Sequence, residues 1–148
     1  FTARATDAAG NQGPLSAAFQ ITIDATAPGA PTFGSVIDNV APVIGQVADN
    51  GSSNDPTLSI DGTAELGSTV TVYDTDGTTV VGTGVATGGA GPITTSALSE
   101  GVHTLTLRTT DAAGNQGSAS TPFHVTIDTL APLAPVIPTI HGIRCVPS

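Results

Sequence analysis

Carboxylate and amide side chains carry most of the chemistry that this sequence offers, and most of them lie in turns or at predicted strand ends. The chain has ten aspartates and two glutamates against three arginines and no lysine, which gives a formal net charge of −9. Calcium takes about six to eight oxygen ligands from carboxylates, amides, backbone carbonyls and water. Acidic turns gathered at one end of a β-sandwich can supply such a set, so this pattern favours calcium over other metals.

We expect two groups of ligands. Asp24, Glu65, Asp111 and Asn115 form the first, because the turns that hold Glu65 and Asp111 are predicted at the end facing a preceding domain, whose last strand ends at Asp24. The second group lies in the segment before the central strands. An alternative stays open, since Asp and Asn also cap turns and tolerate unusual backbone angles. The predicted metal ligands are Asp24, Asp38, Asp55, Glu65, Asp111 and Asn115, with Asp49 and Asn54 beside the second group.

No constellation of residues in the sequence predicts an enzyme. The three histidines are far apart and lack the spacing of a zinc site. No GxSxG motif is present, and a Ser/His/Asp triad can be assembled only by arbitrary choice among many serines. Residues 74–77 lack the later ligands of an EF-hand loop and predict a hairpin turn instead. The acidic charge argues against nucleic acid and anionic membrane surfaces as partners, and no apolar stretch is long enough to span a bilayer.

An internal repeat organises these elements. The segment RATDAAGNQG at residues 4–13 returns as RTTDAAGNQG at residues 108–117, and Asp24 returns as Asp128, each 104 residues later. A period near 100 residues is that of a sandwich domain. The predicted organisation is therefore the C-terminal strands of a preceding repeat in 1–27, a complete repeat in 28–131, and the start of a next repeat or a divergent tail in 132–148. The chain begins at Phe1 and contains no Met, so we expect a piece of a longer array.

Within the complete repeat, apolar and polar residues alternate over several short runs separated by Gly, Asn and Asp. Such alternation is typical of strands that bury one face against a second sheet. It predicts six or seven strands and an all-β fold, an immunoglobulin-like antiparallel β-sandwich repeated in tandem. The segment from Asp38 to Pro56 has little alternation and is predicted to be a connection. The alternating apolar pairs are Leu58/Ile60, Val70/Val72, Leu105/Leu107 and Val125/Ile127.

Four stretches in a fixed order carry a resemblance to a known family: PTLSIDGTAE at 56–65, GSTVTVYD at 67–74, GVHTLTL at 101–107 and TDAAGN at 110–115. They resemble the bacterial Ig-like repeats of very large secreted surface adhesins and biofilm-associated proteins. The resemblance implies tandem extracellular domains, a stalk between the cell and a distal tip, and bound calcium near domain junctions. One departure is Gly91-Pro92-Ile93, where such repeats usually have a tryptophan, so that a core anchor is missing.

The expected function is therefore structural: a stalk repeat of a bacterial surface adhesin, secreted or at the cell surface, that supports adhesion and biofilm formation. Its expected partners are neighbouring Ig-like repeats of the same chain, with host or bacterial surfaces contacted through other domains. Calcium is expected to stiffen each junction. The alternative is an accessory Ig-like spacer or glycan-binding module of a secreted hydrolase, although aromatic residues make up only 3% of the chain and glycan binding needs an exposed aromatic strip.

Overall fold

The computed structural model of the chain describes residues 1–136, and within them it has nine β-strands and no helix. No helix that could cross a membrane is found in this part of the chain. The predicted all-β class is confirmed. The strands are β1 (Thr32–Asp38), β2 (Gly45–Gln46), β3 (Gly51–Ser53), β4 (Ser59–Thr63), β5 (Thr69–Tyr73), β6 (Val80–Val85), β7 (Ala90–Thr94), β8 (Gly101–Thr110) and β9 (Phe123–Ile127).

The strands form two sheets. One has the order β2-β1-β4-β7 and the other the order β3-β9-β8-β5-β6. All pairs are antiparallel except β3 and β9, which run parallel with Gly51 opposite Val125. This is the predicted immunoglobulin-like sandwich.

The core lies between the sheets and is built from the alternating apolar positions. In β8, Leu105 and Leu107 are fully buried, while Thr106 between them is only partly covered. Burying such a side chain contributes about 1.5–3 kcal/mol, so the alternation is the main energetic reason for the fold. The other large apolar side chains that are fully buried are Val36, Leu58, Ile60, Val70, Val72, Val125 and Ile127.

Ile93 fills the core next to β6, close to where the family resemblance leads one to expect a tryptophan. It is buried and packs on two glycines of β6, Gly82 and Gly84. A Cβ atom on Gly84 would lie 2.7 Å from Ile93 Cγ1, and one on Gly82 would lie 2.9 Å from Ile93 Cγ2. The core at this position is thus filled by Ile93 and by the close approach of a strand that lacks side chains at these two positions.

The segment between Asp38 and Pro56 differs from the prediction of a plain connection, because it contains β2 and β3. Strands of two and three residues are too short to show alternation. β3 is held by its pairing with β9, and Asn50 precedes it with a positive φ of 64°. Neither the pairing nor its parallel direction is a property of the local sequence.

The two ends of the sandwich have different neighbours in the chain. We call the end where residues 24–31 arrive at β1 the entrance end; it carries the turns at 64–68, 86–90 and 111–116. The opposite end, from which residues 128–132 leave β9, is the exit end. The exit end also carries the loop at 38–45 and the residues that follow β3.

Residues 1–27 form no named strand, but they contain a turn that closes with a bridge between Thr6 and Gln12. The same bridge recurs between Thr110 and Gln116, as the 104-residue repeat requires. The division into 1–27, 28–131 and 132–148 stays a prediction. Of the last segment, residues 137–148 lie outside the described residues.

Candidate functional site

The turn at 111–115 is closed by its own aspartate. Asp111 Oδ1 accepts hydrogen bonds from the Ala113 and Asn115 amides at 2.9 and 2.8 Å, and Oδ2 accepts one from Asn115 Nδ2 at 2.8 Å. The Asn115 side chain is the main cause that lowers the pKa of Asp111. Asp7 makes the same three bonds at the first copy of the motif. Closing the turn is therefore one role of this carboxylate.

The entrance end also holds the incoming chain, residues 24–31. Asn115 Nδ2 donates to the Asp24 carbonyl at 3.1 Å, and the buried Thr109 hydroxyl donates to the Gly29 carbonyl at 2.9 Å. Pro28 is buried, as is Pro31. This linker is seated on the domain that it enters and does not hang free.

Glu65 lies on the turn next to that of Asp111, because Thr69 after the first turn pairs with Thr110 before the second. The Glu65 carbonyl accepts from the Ser68 amide and hydroxyl at 3.1 and 2.6 Å, and the residue is exposed. The structure thus brings together three predicted ligands, Asp24, Asp111 and Asn115, with Glu65 on the neighbouring turn. Asp24 takes part through its carbonyl, while its carboxylate accepts from the Thr26 amide.

At the exit end, Asp38 and Asp55 are both only 1% exposed. Asp38 Oδ1 accepts from the Val40 amide at 2.8 Å, and Oδ2 accepts from the Ser53 hydroxyl at 2.6 Å and the Asn54 amide at 3.3 Å. The two carboxylates are linked through each other's chain neighbours. Asp38 binds the amide of Asn54, which precedes Asp55, and the amide of Asn39, which follows Asp38, donates to Asp55 Oδ2 at 3.0 Å. The two acids are thereby fixed in one small region.

Asp55 Oδ1 accepts from the amide and hydroxyl of Thr57 at 2.7 and 2.8 Å. Burial by itself raises the pKa of Asp55, but the amides of Asn39 and Thr57 outweigh it, and the pKa lies below its usual range. This acid is therefore charged at neutral pH.

No lysine, arginine or histidine among residues 1–136 contacts the carboxylate of Asp38 or Asp55. The contacts between a histidine and a carboxylate in this part of the chain are His103–Asp74 and His124–Asp49. Beside the two acids, Asn54 Oδ1 is buried without a hydrogen-bond donor, while its Nδ2 donates to the Ala41 carbonyl at 3.0 Å. A buried acceptor without a partner costs about 1–3 kcal/mol. Carboxylate and amide oxygens of this kind are the donor set that calcium prefers, so these residues fit calcium as part of its ligand shell.

The described residues do not complete a metal centre by themselves. No group of three or more His, Cys, Asp and Glu residues within 1–136 is placed to hold an ion. Asp49 is exposed and bonds to the amide and ring of His124 at 2.7 and 3.2 Å. An ion at either end of the sandwich would need further oxygens, from backbone, water or a neighbouring domain.

The spacing of residues in the sequence did not predict the polar cluster around His103, which includes Asp74 and Ser99. His103 is 5% exposed; its Nδ1 lies 2.8 Å from Asp74 Oδ1, and its Nε2 lies 2.9 Å from the Ser99 carbonyl and 3.5 Å from Ser99 Oγ. Because the ring faces an acceptor on both sides, it donates from both nitrogens and cannot take a proton from Ser99. The alternation of β8, which places residue 103 on the buried face, was the available signal.

Comparison with known sequences decides the family. A sequence model described as "Bacterial Ig-like domain" matches residues 44–129, more than half of the chain. The chain belongs to the bacterial Ig-like domain family. The matched part of this Ig-like domain begins after β1 and ends just past β9, and it includes Asp55, Glu65 and the turn at 111–115. β1 is an integral strand of the first sheet all the same, since it pairs with β4 from Thr32 to Ile37.

Among solved structures, one described as "Biofilm associated protein - BSP domain" is 23% identical to this Ig-like chain, with a TM-score of 0.44. The alignment covers 74% of this chain and 16% of that one, so the Ig-like chain spans a small part of that protein's length. No curated protein matches the chain.

Proposed function

We propose that this Ig-like domain is a stalk repeat of a large secreted bacterial surface adhesin, stiffened by calcium at its junctions. The observation that carries the proposal is the seating of residues 24–31 on the entrance end through Asn115 and Thr109. A similar linker sequence begins again at Asp128, which repeats Asp24, and it shares the Ala-Pro pairs of the first linker. A domain that binds its incoming linker and is followed by a similar linker is suited to a tandem array of such domains.

The role follows from this arrangement and from the residue types. A stalk repeat transmits position and load and performs no reaction, which agrees with polar clusters that serve to close turns and to cross-link strands. Bacterial Ig-like family membership and the resemblance to adhesin repeats support an extracellular or cell-surface location. Neighbouring Ig-like repeats of the same chain are the proposed partners, and other domains of the full protein would contact host or bacterial surfaces.

Calcium is proposed because acids occur on both sides of a junction. The exit end carries the buried pair Asp38 and Asp55, and the entrance end of the next repeat carries Glu65 and Asp111. Like charges brought together in a small interface repel, and a divalent ion removes that repulsion while it binds oxygens from both domains. Asp38, Asp55 and the unpaired Oδ1 of Asn54 would hold the ion on the exit side.

Thermal melts of the 148-residue chain in chelator, millimolar calcium and millimolar magnesium test this proposal. For a dissociation constant of about 10⁻⁴–10⁻³ M, 1 mM calcium stabilises the domain by about 0.4–1.4 kcal/mol. For a domain of this size that corresponds to a rise in Tm of about 2–8 °C. Asp55→Asn should remove the calcium-dependent rise, and Asp61→Asn, on an exposed strand position, should keep it.

The comparison within each variant separates ion binding from folding, because Asp55→Asn also changes hydrogen bonds of the fold. The difference between calcium and chelator is therefore the quantity that matters, not Tm itself. Equal melts of the wild-type chain in all three solutions, repeated with two complete repeats in tandem, would remove calcium from the proposal and leave a spacer.

A further inference from the structure

A groove of about 440 Å³ opens at the exit end, between the loop that follows β1 and the outgoing linker. Residues 128–132 form one wall, and Pro42, Val43 and residues 52–54 form the other. Val43 is 66% exposed, and Leu130 is also exposed. Both residues line the same groove, and exposed apolar side chains that share a groove favour contact with protein.

The sequence repeat indicates that the next domain of the same chain would lie beside this groove. Residues 24–28 are the equivalents of 128–132, and they lie against the entrance end of the domain that follows them: the Asp24 carbonyl accepts from Asn115, and a Cβ atom on Gly117 would lie 2.5 Å from the Pro28 carbonyl oxygen. The same stretch therefore lines the groove of the domain it leaves, and through its first and last residues it contacts residues 111–117 of the domain it enters. No free spacer separates the two surfaces.

We propose that the exit groove receives the entrance end of a second copy of this domain, with the 64–68 turn as the part that enters it. This inference rests on the proposed tandem array. Leu66 stands at the tip of that turn and is 73% exposed, and the turn lies beside the linker-binding turn because Thr69 pairs with Thr110. Docking covers Leu66 of one repeat and Val43 of the other, and it fixes the angle between repeats.

The test uses the whole chain with its complete repeat duplicated, that is, residues 1–131 followed by residues 28–148. Spin labels on cysteines introduced at Thr83, an exposed position on β6 of each repeat, report the distance between the two domains once the native Cys145 is replaced by Ser. Docking predicts one narrow distance distribution. Val43→Asp in the first repeat, or Leu66→Asp in the second, should widen it at least twofold.

The matched controls are the same substitutions in the other copies. Val43→Asp in the second repeat and Leu66→Asp in the first face no complete neighbouring repeat and should leave the distribution narrow. A broad distribution in the unmodified protein, or equal widths for junction and control variants, would overturn the docking surface.

Measurements in calcium and in chelator separate this inference from the proposed role of calcium. A distribution that is narrow in both solutions and widened by Val43→Asp supports docking and counts against calcium as the stiffening element. A distribution that is narrow only in calcium and insensitive to both substitutions supports calcium and overturns docking.

Discussion

Gly117→Ala should be one of the most disruptive single-methyl changes at the entrance end. A Cβ atom at this position would lie 2.5 Å from the Pro28 carbonyl oxygen and 2.8 Å from Thr109 Oγ1. The first of these is a backbone atom, which cannot rotate aside. The linker must therefore move away from the domain that it enters.

The cost follows from the contacts that this movement breaks. Thr109 is fully buried, so loss of its bond to Gly29 leaves a hydroxyl without an acceptor, at about 1–3 kcal/mol. The Asn115–Asp24 bond contributes about 0.5–1.5 kcal/mol more. We expect the free energy of unfolding to fall by about 2–4 kcal/mol.

Urea unfolding of the 148-residue chain measures this change. With a slope of about 2 kcal/mol per molar, the midpoint should fall by about 1–2 M at constant slope. Gly13→Ala is the matched control: it occupies the same place in the repeated motif, and its Cβ would meet only the Ala5 carbonyl oxygen, at 3.6 Å. Both substitutions reduce the flexibility of the unfolded chain equally, so their difference isolates the linker.

A midpoint for Gly117→Ala within about 0.2 M of that for Gly13→Ala would refute the reasoning, because the linker would then contribute nothing to stability. Thr109→Val provides a milder variant should Gly117→Ala fail to fold. It removes the hydroxyl but keeps the shape, and it should cost about 0.5–1.5 kcal/mol.

Two further predictions concern the core and the buried histidine. Gly84→Ala should lower the free energy of unfolding by about 1–3 kcal/mol, because the added methyl group clashes with Ile93. Adding Ile93→Val should restore part of that loss in the same urea assay. Gly91→Ala is the control: its methyl group meets no atom within 4 Å and should cost nothing. Burial by itself lowers the pKa of His103, but its bonds to Asp74 and the Ser99 carbonyl outweigh burial and raise the pKa above 6.5. The contribution of His103 is therefore complete below pH 6.5 and is lost as the pH rises through its raised pKa. The wild-type urea midpoint should fall as the pH rises above 6.5, and that of His103→Gln should not. An equal dependence of the midpoint on pH in the two proteins would contradict the buried pair.

The local sequence determined most of the framework. Alternation in β4, β5, β8 and β9 marked the buried residues correctly, because a strand exposes successive side chains to opposite faces whatever its partners are. The hairpin at Asp74 and the closed turn at Asp111 were equally predictable, since Asp bonds to amides only a few residues away. The repeat indicated a tandem arrangement of domains, and it could be found without knowledge of the fold because it is a match between two stretches of sequence.

Tertiary structure decided the features that depend on which distant segments meet. His103 and Asp74 lie 29 residues apart and become partners because β5 pairs with β8. β3 was invisible in the sequence because its stability comes from β9 and not from its own three residues. Asp38 and Asp55 stood in the sequence as two acids of a polar segment, and the fold buried both of them within reach of each other's neighbours without a cation among the described residues. Burial and charge compensation are properties of the assembled sheets. The sequence could therefore offer these acids as candidate ligands, but it could not tell a solvated loop from a buried pair without a cation beside it.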